Sequence, residues 1–183
     1  DSGCGKSSYM LGEVSRLYYT HCEKKDTCKW IYLDQRMCVP KSSAQQTLLQ
    51  YLRTDYHNIT RKSVLQWAKM LRLDGIITSQ SLDTSPQSLS GGEEKRVVIL
   101  RELLPVLCGL RQVRVIFCDE VTAGMDTRTQ NAVKDVFVIA MEMYSRCTLV
   151  WIDHHYIPTP ICTQLTGEMW ASKLSQTTLQ VEL

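Results

Sequence analysis

Three short stretches carry residue types suited to chemistry on phosphates. The first is DSGCGKSS, Asp1 to Ser8, in which Gly5-Lys6-Ser7 match the second half of the phosphate-loop pattern G-x-x-x-x-G-K-[ST]. Glycines let the backbone bend so that successive N–H groups point at phosphate oxygens, and a following helix adds the positive end of its dipole. Lys6 offers a mobile charge for β and γ phosphates, and the Ser7 hydroxyl is a ligand for Mg²⁺. The pattern's first glycine would precede Asp1, and no strand feeds the loop. Two expectations follow: either the sequence continues a longer polypeptide, with the upstream strand and loop start missing, or the match is a Gly-rich turn before a helix.

The second stretch is FCDE, an apolar run ending in adjacent acids. On a parallel sheet it would set Asp119 at the carboxyl edge, where ligands of such folds bind. Asp119 would hold Mg²⁺ through water, and Glu120 would orient or deprotonate an attacking water. The plain alternative is a solvated strand end. The third is LSGGE, Leu89 to Glu93. Ser90 Oγ and the Gly91 and Gly92 amides at a helix start make an anion-binding corner, with an ordinary turn and cap as the alternative.

These groups need an alternating scaffold, and the chain supplies one. Residues 7–19 read as a helix, with Met10, Leu11, Val14 and Leu17 at helical spacing. Trp30-Ile31-Tyr32-Leu33 reads as a short strand ending at Asp34-Gln35, and residues 43–77 read as helical. There Leu48, Leu49 and Leu52 form one apolar face, and Val64, Trp67, Ala68 and Leu71 another. A turn-rich stretch, 78–88, leads to Ser90, where a long helix is predicted towards Leu104, ended or bent by Pro105. Residues 113–118 read as a buried strand. Thr127 is expected to cap a helix carrying Val133, Val136, Ala140 and Met143, and residues 148–152 form a further strand before Asp153-His154-His155. The tail, 164–183, alternates like short edge strands. The sum is an α/β fold with a largely parallel core.

Composition narrows the partners. The 183 residues carry 21 basic and 19 acidic side chains, a balance that gives no bulk argument for a nucleic-acid or membrane surface. No apolar run reaches the roughly 18 to 20 residues that span a bilayer. Eight cysteines lie scattered without C-x-x-C spacing, which suits free thiols in a reducing compartment. His21, Cys22, Cys28 and Cys38 cluster loosely at no common zinc spacing, with a zinc site as the open alternative.

In order along the chain stand DSGCGKSS, YLDQ, LSGGEEKR, VRVIFCDE, AGMD and VWIDH. Together they resemble the ATP-binding cassette (ABC) ATPases over nearly the whole length. The stretches correspond to a partial Walker A loop, a Q-loop, the signature, the Walker B strand, a D-loop and a switch histidine. The resemblance implies a P-loop NTPase of ABC type, with a largely parallel core sheet, a helical subdomain and an antiparallel β-subdomain. That last part should be shortened, because little chain separates Lys6 from Gln35. It implies one domain over 1–183, with a RecA-like core from 1–39 and 89–183 and a helical subdomain from 40–88.

The site residues follow from the same resemblance. Ser2, Gly3, Cys4, Gly5, Lys6, Ser7 and Ser8 would cradle ATP, and Ser7, Gln35 and Asp119 would hold Mg²⁺. Glu120, His154 and Lys6 would be catalytic, with His155 the register alternative to His154. Ser90, Gly91 and Gly92 would close the far side of a nucleotide bound by a second cassette, and Asp126 would link the two sites. Two residues depart from the usual pattern: Glu93 stands where Gln is more frequent, and Val121 where Pro is common. Neither removes a catalytic group.

The resemblance implies ATP hydrolysis at a composite site between two cassettes, in a homo- or heterodimer. The leading expectation is an ABC transporter cassette, cytoplasmic and held at the membrane face by a transmembrane partner. One alternative is a soluble ABC ATPase acting on a ribosome, nucleic acid or other large assembly, which would suit Lys24, Lys25 and Lys29. Another is a low-turnover structural module of a complex.

Overall fold

The computed structural model describes residues 12, 30–53, 56–86, 89–143 and 147–152. Apart from residue 12, the predicted helix at 7–19 lies outside them, as do the antiparallel β-subdomain and the tail at 164–183.

Three strands form one parallel sheet: β1 (Trp30–Leu33), β2 (Val115–Asp119) and β3 (Thr148–Ile152), in that spatial order. Leu33 stands opposite Cys118, Cys118 opposite Trp151, and Asp119 opposite Ile152. All three strands therefore end at one edge. Because β2 is central, its end sits between the other two, and Asp119 closes it one residue beyond the predicted strand. Residues of β2 point to both faces and are mostly buried. Ile116 and Cys118 join the main core, while Phe117 packs with Ile152, Tyr32, Val115 and Val150 on the other face. A strand buried on both faces has no need of polar alternation, hence the run Val-Ile-Phe-Cys.

The helices lie between the strands: α1 (Leu48–Arg53), α2 (Arg61–Met70) and α3 (Gly91–Leu107) between β1 and β2, and α4 (Thr127–Met143) between β2 and β3, with 3₁₀ turns at Lys41–Gln45 and Ser81–Asp83. The region read as continuous helix from 43 is broken. Thr60 starts α2 afresh, its hydroxyl accepting from the Ser63 amide at 3.1 Å. The two predicted apolar faces are present: Leu48, Leu49, Leu52, Val64, Ala68 and Leu71 are buried, and Trp67 is half-buried. Pro105 neither ends nor stops α3, which continues to Leu107. It removes one donor, but the last turn closes around it, with Cys108 N–H donating to Leu104 O at 3.0 Å and Leu110 N–H to Pro105 O at 2.8 Å. α3 packs on α1, α2 and α4, and α4 adds Val133, Val136, Phe137 and Ala140 to the core. Phe137 meets Trp151 of β3 edge-on, with centroids 5.1 Å apart.

Candidate functional site

The carboxyl edge of the sheet gathers four polar residues from two strand ends. Asp34 and Gln35 follow β1; Asp119 closes β2 and Glu120 follows it. Since Leu33 pairs with Cys118, Asp34 and Asp119 leave adjacent strands at the same level. Asp34 spends one carboxylate oxygen on its own turn, accepting from the Arg36 amide at 2.8 Å, and this turn presents Gln35 exposed.

Asp119 is only 7% exposed, and among the described residues its Oδ1 is buried without a hydrogen-bond partner. A buried carboxylate left so incurs a desolvation penalty that a cation or a donor must offset. Next to it, burial first, and then the charges of Asp119 and Asp34, push the Tyr32 phenol up to about 12. Glu120 turns the chain sharply. Its φ is +51°, a left-handed value that favours glycine, and its amide donates to Ile152 O at 2.9 Å. A non-glycine residue held there is the kind of local strain found at functional positions. Val121 and Thr122, at 0% and 1% exposure, anchor the following turn, so the residue in the proline's place works as core.

Ser90 caps α3 and forms a capping box with Glu93, whose Oε2 accepts from the Ser90 amide at 2.8 Å. That bond, then the Ser90 side chain, holds the Glu93 carboxyl below the usual range. The departure from Gln at 93 keeps the acceptor the box needs. Ser90 and Gly91 are exposed and Gly92 half-buried, so the corner faces outward. It reaches the acidic edge indirectly: Lys95 Nζ donates to Ala123 O at 3.0 Å, in the turn after Glu120. Glu94 Oε1 accepts from Val39 N–H at 2.8 Å, tying the segment after Gln35 to α3.

Asp126, not Thr127, caps α4. Its two oxygens accept from Thr129, from the amide at 3.0 Å and from the hydroxyl at 2.6 Å, and the hydroxyl bond first holds its carboxyl low. A neighbouring threonine at the third helical position was the signal for this cap. Lys95, Glu94 and Tyr32 were not singled out in the sequence. Glu94 and Lys95 directly follow the glycine corner on a helix start, while nothing local marks Tyr32. Ser2, Gly3, Cys4, Gly5, Lys6, Ser7, Ser8, His154 and His155 lie outside the described residues. So do His21, Cys22 and Cys28; Cys38 is an exposed free thiol, and Cys118 is a buried one. Among the described residues no group of three His, Cys, Asp or Glu side chains is disposed to hold a metal. A single carboxylate orphaned among the described residues suits Mg²⁺, which takes one or two protein carboxylates and completes its shell with water and phosphate.

Over 95 residues the chain is 32% identical to the lipoprotein-releasing system ATP-binding protein LolD of Rickettsia bellii, covering 51% of this chain and 40% of that protein. Over 150 residues it is 24% identical to LolD of Rickettsia typhi, covering 82% and 59%. In three dimensions it is similar to a bacterial Atm1-family ABC exporter with ATP bound, at a TM-score of 0.51 and 22% identity, over 69% of this chain and 21% of that one. The likeness is to ABC proteins. The structural match, at this identity, speaks for the fold alone. No protein-family model matches the chain. The chain spans about half the length of the LolD proteins it matches. Among the described residues no helix is long and apolar enough to cross a membrane.

Proposed function

We propose that this chain binds and hydrolyses ATP at a composite site between two ABC cassettes, and that the cycle drives a transmembrane partner at the cytoplasmic face of a membrane. The observation that carries the reading is Asp119. A buried carboxylate, orphaned among the described residues, closes the central strand at the edge where parallel sheets bind ligands, and Glu120 follows it in a strained turn. In this reading Asp119 and Ser7, with Gln35 beside them, hold Mg²⁺, which when bound neutralises phosphate charge. Glu120 takes the proton of the attacking water. Lys6 and the loop from Ser2 to Ser8 hold the phosphates, and His154 contacts the terminal one. Ser90, Gly91 and Gly92 serve the nucleotide of the second cassette, which agrees with their outward exposure, and Asp126, by capping α4, fixes the turn that faces that cassette. The likeness to LolD, the ATP-binding protein of a lipoprotein-releasing system, favours a transporter over a soluble assembly factor.

The test is Glu120→Gln in the full-length protein. Turnover of Mg·ATP should fall by about 10² to 10⁴, the usual worth of a general base. ATP-dependent dimerisation should persist, and the wild type should co-purify with a polytopic membrane protein. Undiminished turnover in Glu120→Gln, or failure of the wild type to bind ATP, overturns the reading.

A further inference from the structure

The turn that follows β2 is held from within and from its inner side. Ala123 N–H donates to Glu120 O at 3.0 Å, Met125 N–H to Thr122 O at 3.1 Å, and the Gln130 side-chain amide to Met125 O at 2.9 Å. Val121, Thr122 and Met125 are buried and fix the inner side. The outer side is half-buried Ala123 and exposed Gly124, whose φ of +81° is one that glycine takes freely. Glu120 has no such freedom at φ +51°. Left to itself it would relax towards an ordinary φ and swing its carboxylate, so the turn needs a restraint from outside.

Lys95 supplies one. It stands at the start of the second turn of α3, where successive side chains leave the helix in different directions. Glu93 turns back to Ser90, and Glu94 reaches the segment after β1 through Val39. Lys95 reaches the turn after β2, its Nζ donating to Ala123 O at 3.0 Å in a partly buried bond between residues 28 apart in the chain. The acceptor is a neutral carbonyl, and among the described residues no carboxylate forms an ion pair with Lys95. Lysine ordinarily keeps its ammonium in water and its stem free to rotate. Here that freedom is given up for one main-chain oxygen. Ala123 itself donates to Glu120 O, so a single residue stands between Lys95 and the backbone of Glu120.

We propose that Lys95 is a positioning residue for the hydrolysis step. It holds the turn from Glu120 to Met125 against α3 and thereby fixes where the Glu120 carboxylate stands, with no contact of its own to the nucleotide. The inference rests on the reading of Glu120 as the group that takes the proton of the attacking water, and adds the restraint that keeps that group in place. A base must stand within hydrogen-bond reach of the water it deprotonates. A displacement of about 1 Å, caused by a change outside the reacting centre, can cost about 100-fold in rate. A lysine that merely joined two elements would contribute stability and leave the rate of the chemical step alone.

The experiment uses the full-length protein. Lys95→Met keeps an unbranched stem and removes the donor. Its kcat for Mg·ATP should fall about 10- to 100-fold, with KM and ATP affinity within about twofold of wild type. Lys95→Arg, which keeps a donor, should recover most of the loss. Lys95→Gln should fall between, and it decides the case if Lys95→Met does not fold. In a Glu120→Gln background Lys95→Met should lower turnover no further, because the group it positions is gone, and ATP-dependent dimerisation should be unchanged. Hydrogen exchange gives a readout that needs no turnover. The Ala123 amide should exchange about tenfold faster in Lys95→Met, while Ile116 and Cys118 in β2 keep their protection. Wild-type kcat in Lys95→Met overturns the inference, as does a loss that Lys95→Arg fails to recover. A loss of ATP affinity or dimerisation equal to the loss in kcat also overturns it, since Lys95 would then touch the nucleotide. If Glu120→Gln itself turns over ATP like wild type, the reading beneath the inference has failed; if only Lys95→Met does so, the inference alone has.

Discussion

At the residue scale the site is a problem of charge placed where water is scarce. Asp119 keeps a buried oxygen without a partner among the described residues, and its field is felt one strand away, at Tyr32. This gives a readout of Asp119 that needs no turnover. Burial alone should hold the Tyr32 phenol above the ordinary value of about 10, with Asp119 adding to the rise. In Asp119→Asn the Tyr32 pKa should therefore fall from about 12 without reaching the ordinary range, measured by ring-carbon NMR shifts against pH. The linkage has a definite sign. Because the folded-state pKa is raised, this contribution to stability is intact below about pH 10 and is lost as pH climbs through about 12. The variant should narrow that window from the top. An unmoved Tyr32 titration would mean that the Asp119 carboxylate does not face it. Asp119, Glu120 and Ser90 were legible in the sequence because local order marks them, as a strand end and a helix start. Tyr32 was not, since its partner stands on another strand far along the chain and only parallel pairing joins them.

At the scale of elements, α3 acts as a bracket between the two candidate halves of the site. Its first turn carries the signature glycines and Glu94, and Glu94 holds the Val39 amide at 2.8 Å, just beyond the turn that presents Gln35. A partly buried bond to a charged acceptor is worth about 1.5–3 kcal/mol. Glu94→Ala should therefore speed hydrogen exchange at Val39 by roughly 10- to 100-fold and loosen the turn at Lys41–Gln45. Glu94→Gln, which keeps an acceptor, should lie between. Wild-type protection at Val39 in the alanine variant would show that the bracket is elsewhere. Element types were readable from periodicity, but element ends were not. Thr60 restarts a helix that apolar spacing alone would run straight through. Pro105 is tolerated because it falls in a last turn whose carbonyls find donors beyond it. Asp126 outcompetes Thr127 as cap because Thr129 supplies two donors at the right distance.

At the scale of the whole molecule, the division into a core of 1–39 and 89–183 and a helical part of 40–88 meets a single apolar cluster. Leu48, Leu52, Val64 and Leu71 from the helical part share it with Ile116 and Cys118 from the sheet, and α3 runs between them with Leu100 and Leu103 fully buried. Two parts that share one close-packed interior should not melt apart, because opening either exposes the apolar surface of both. Leu100→Ala tests this. Truncating a fully buried leucine costs about 2–5 kcal/mol through lost transfer energy and the cavity left behind. That loss should appear equally in the slowest-exchanging amides of α1, α2 and β2, with circular dichroism and tryptophan fluorescence reporting one transition. Amides of α1 and α2 that open early, while β2 keeps its protection, would mean that the helical part is held on the sheet by less than this core. It could then move as a separate body when a nucleotide is bound or released.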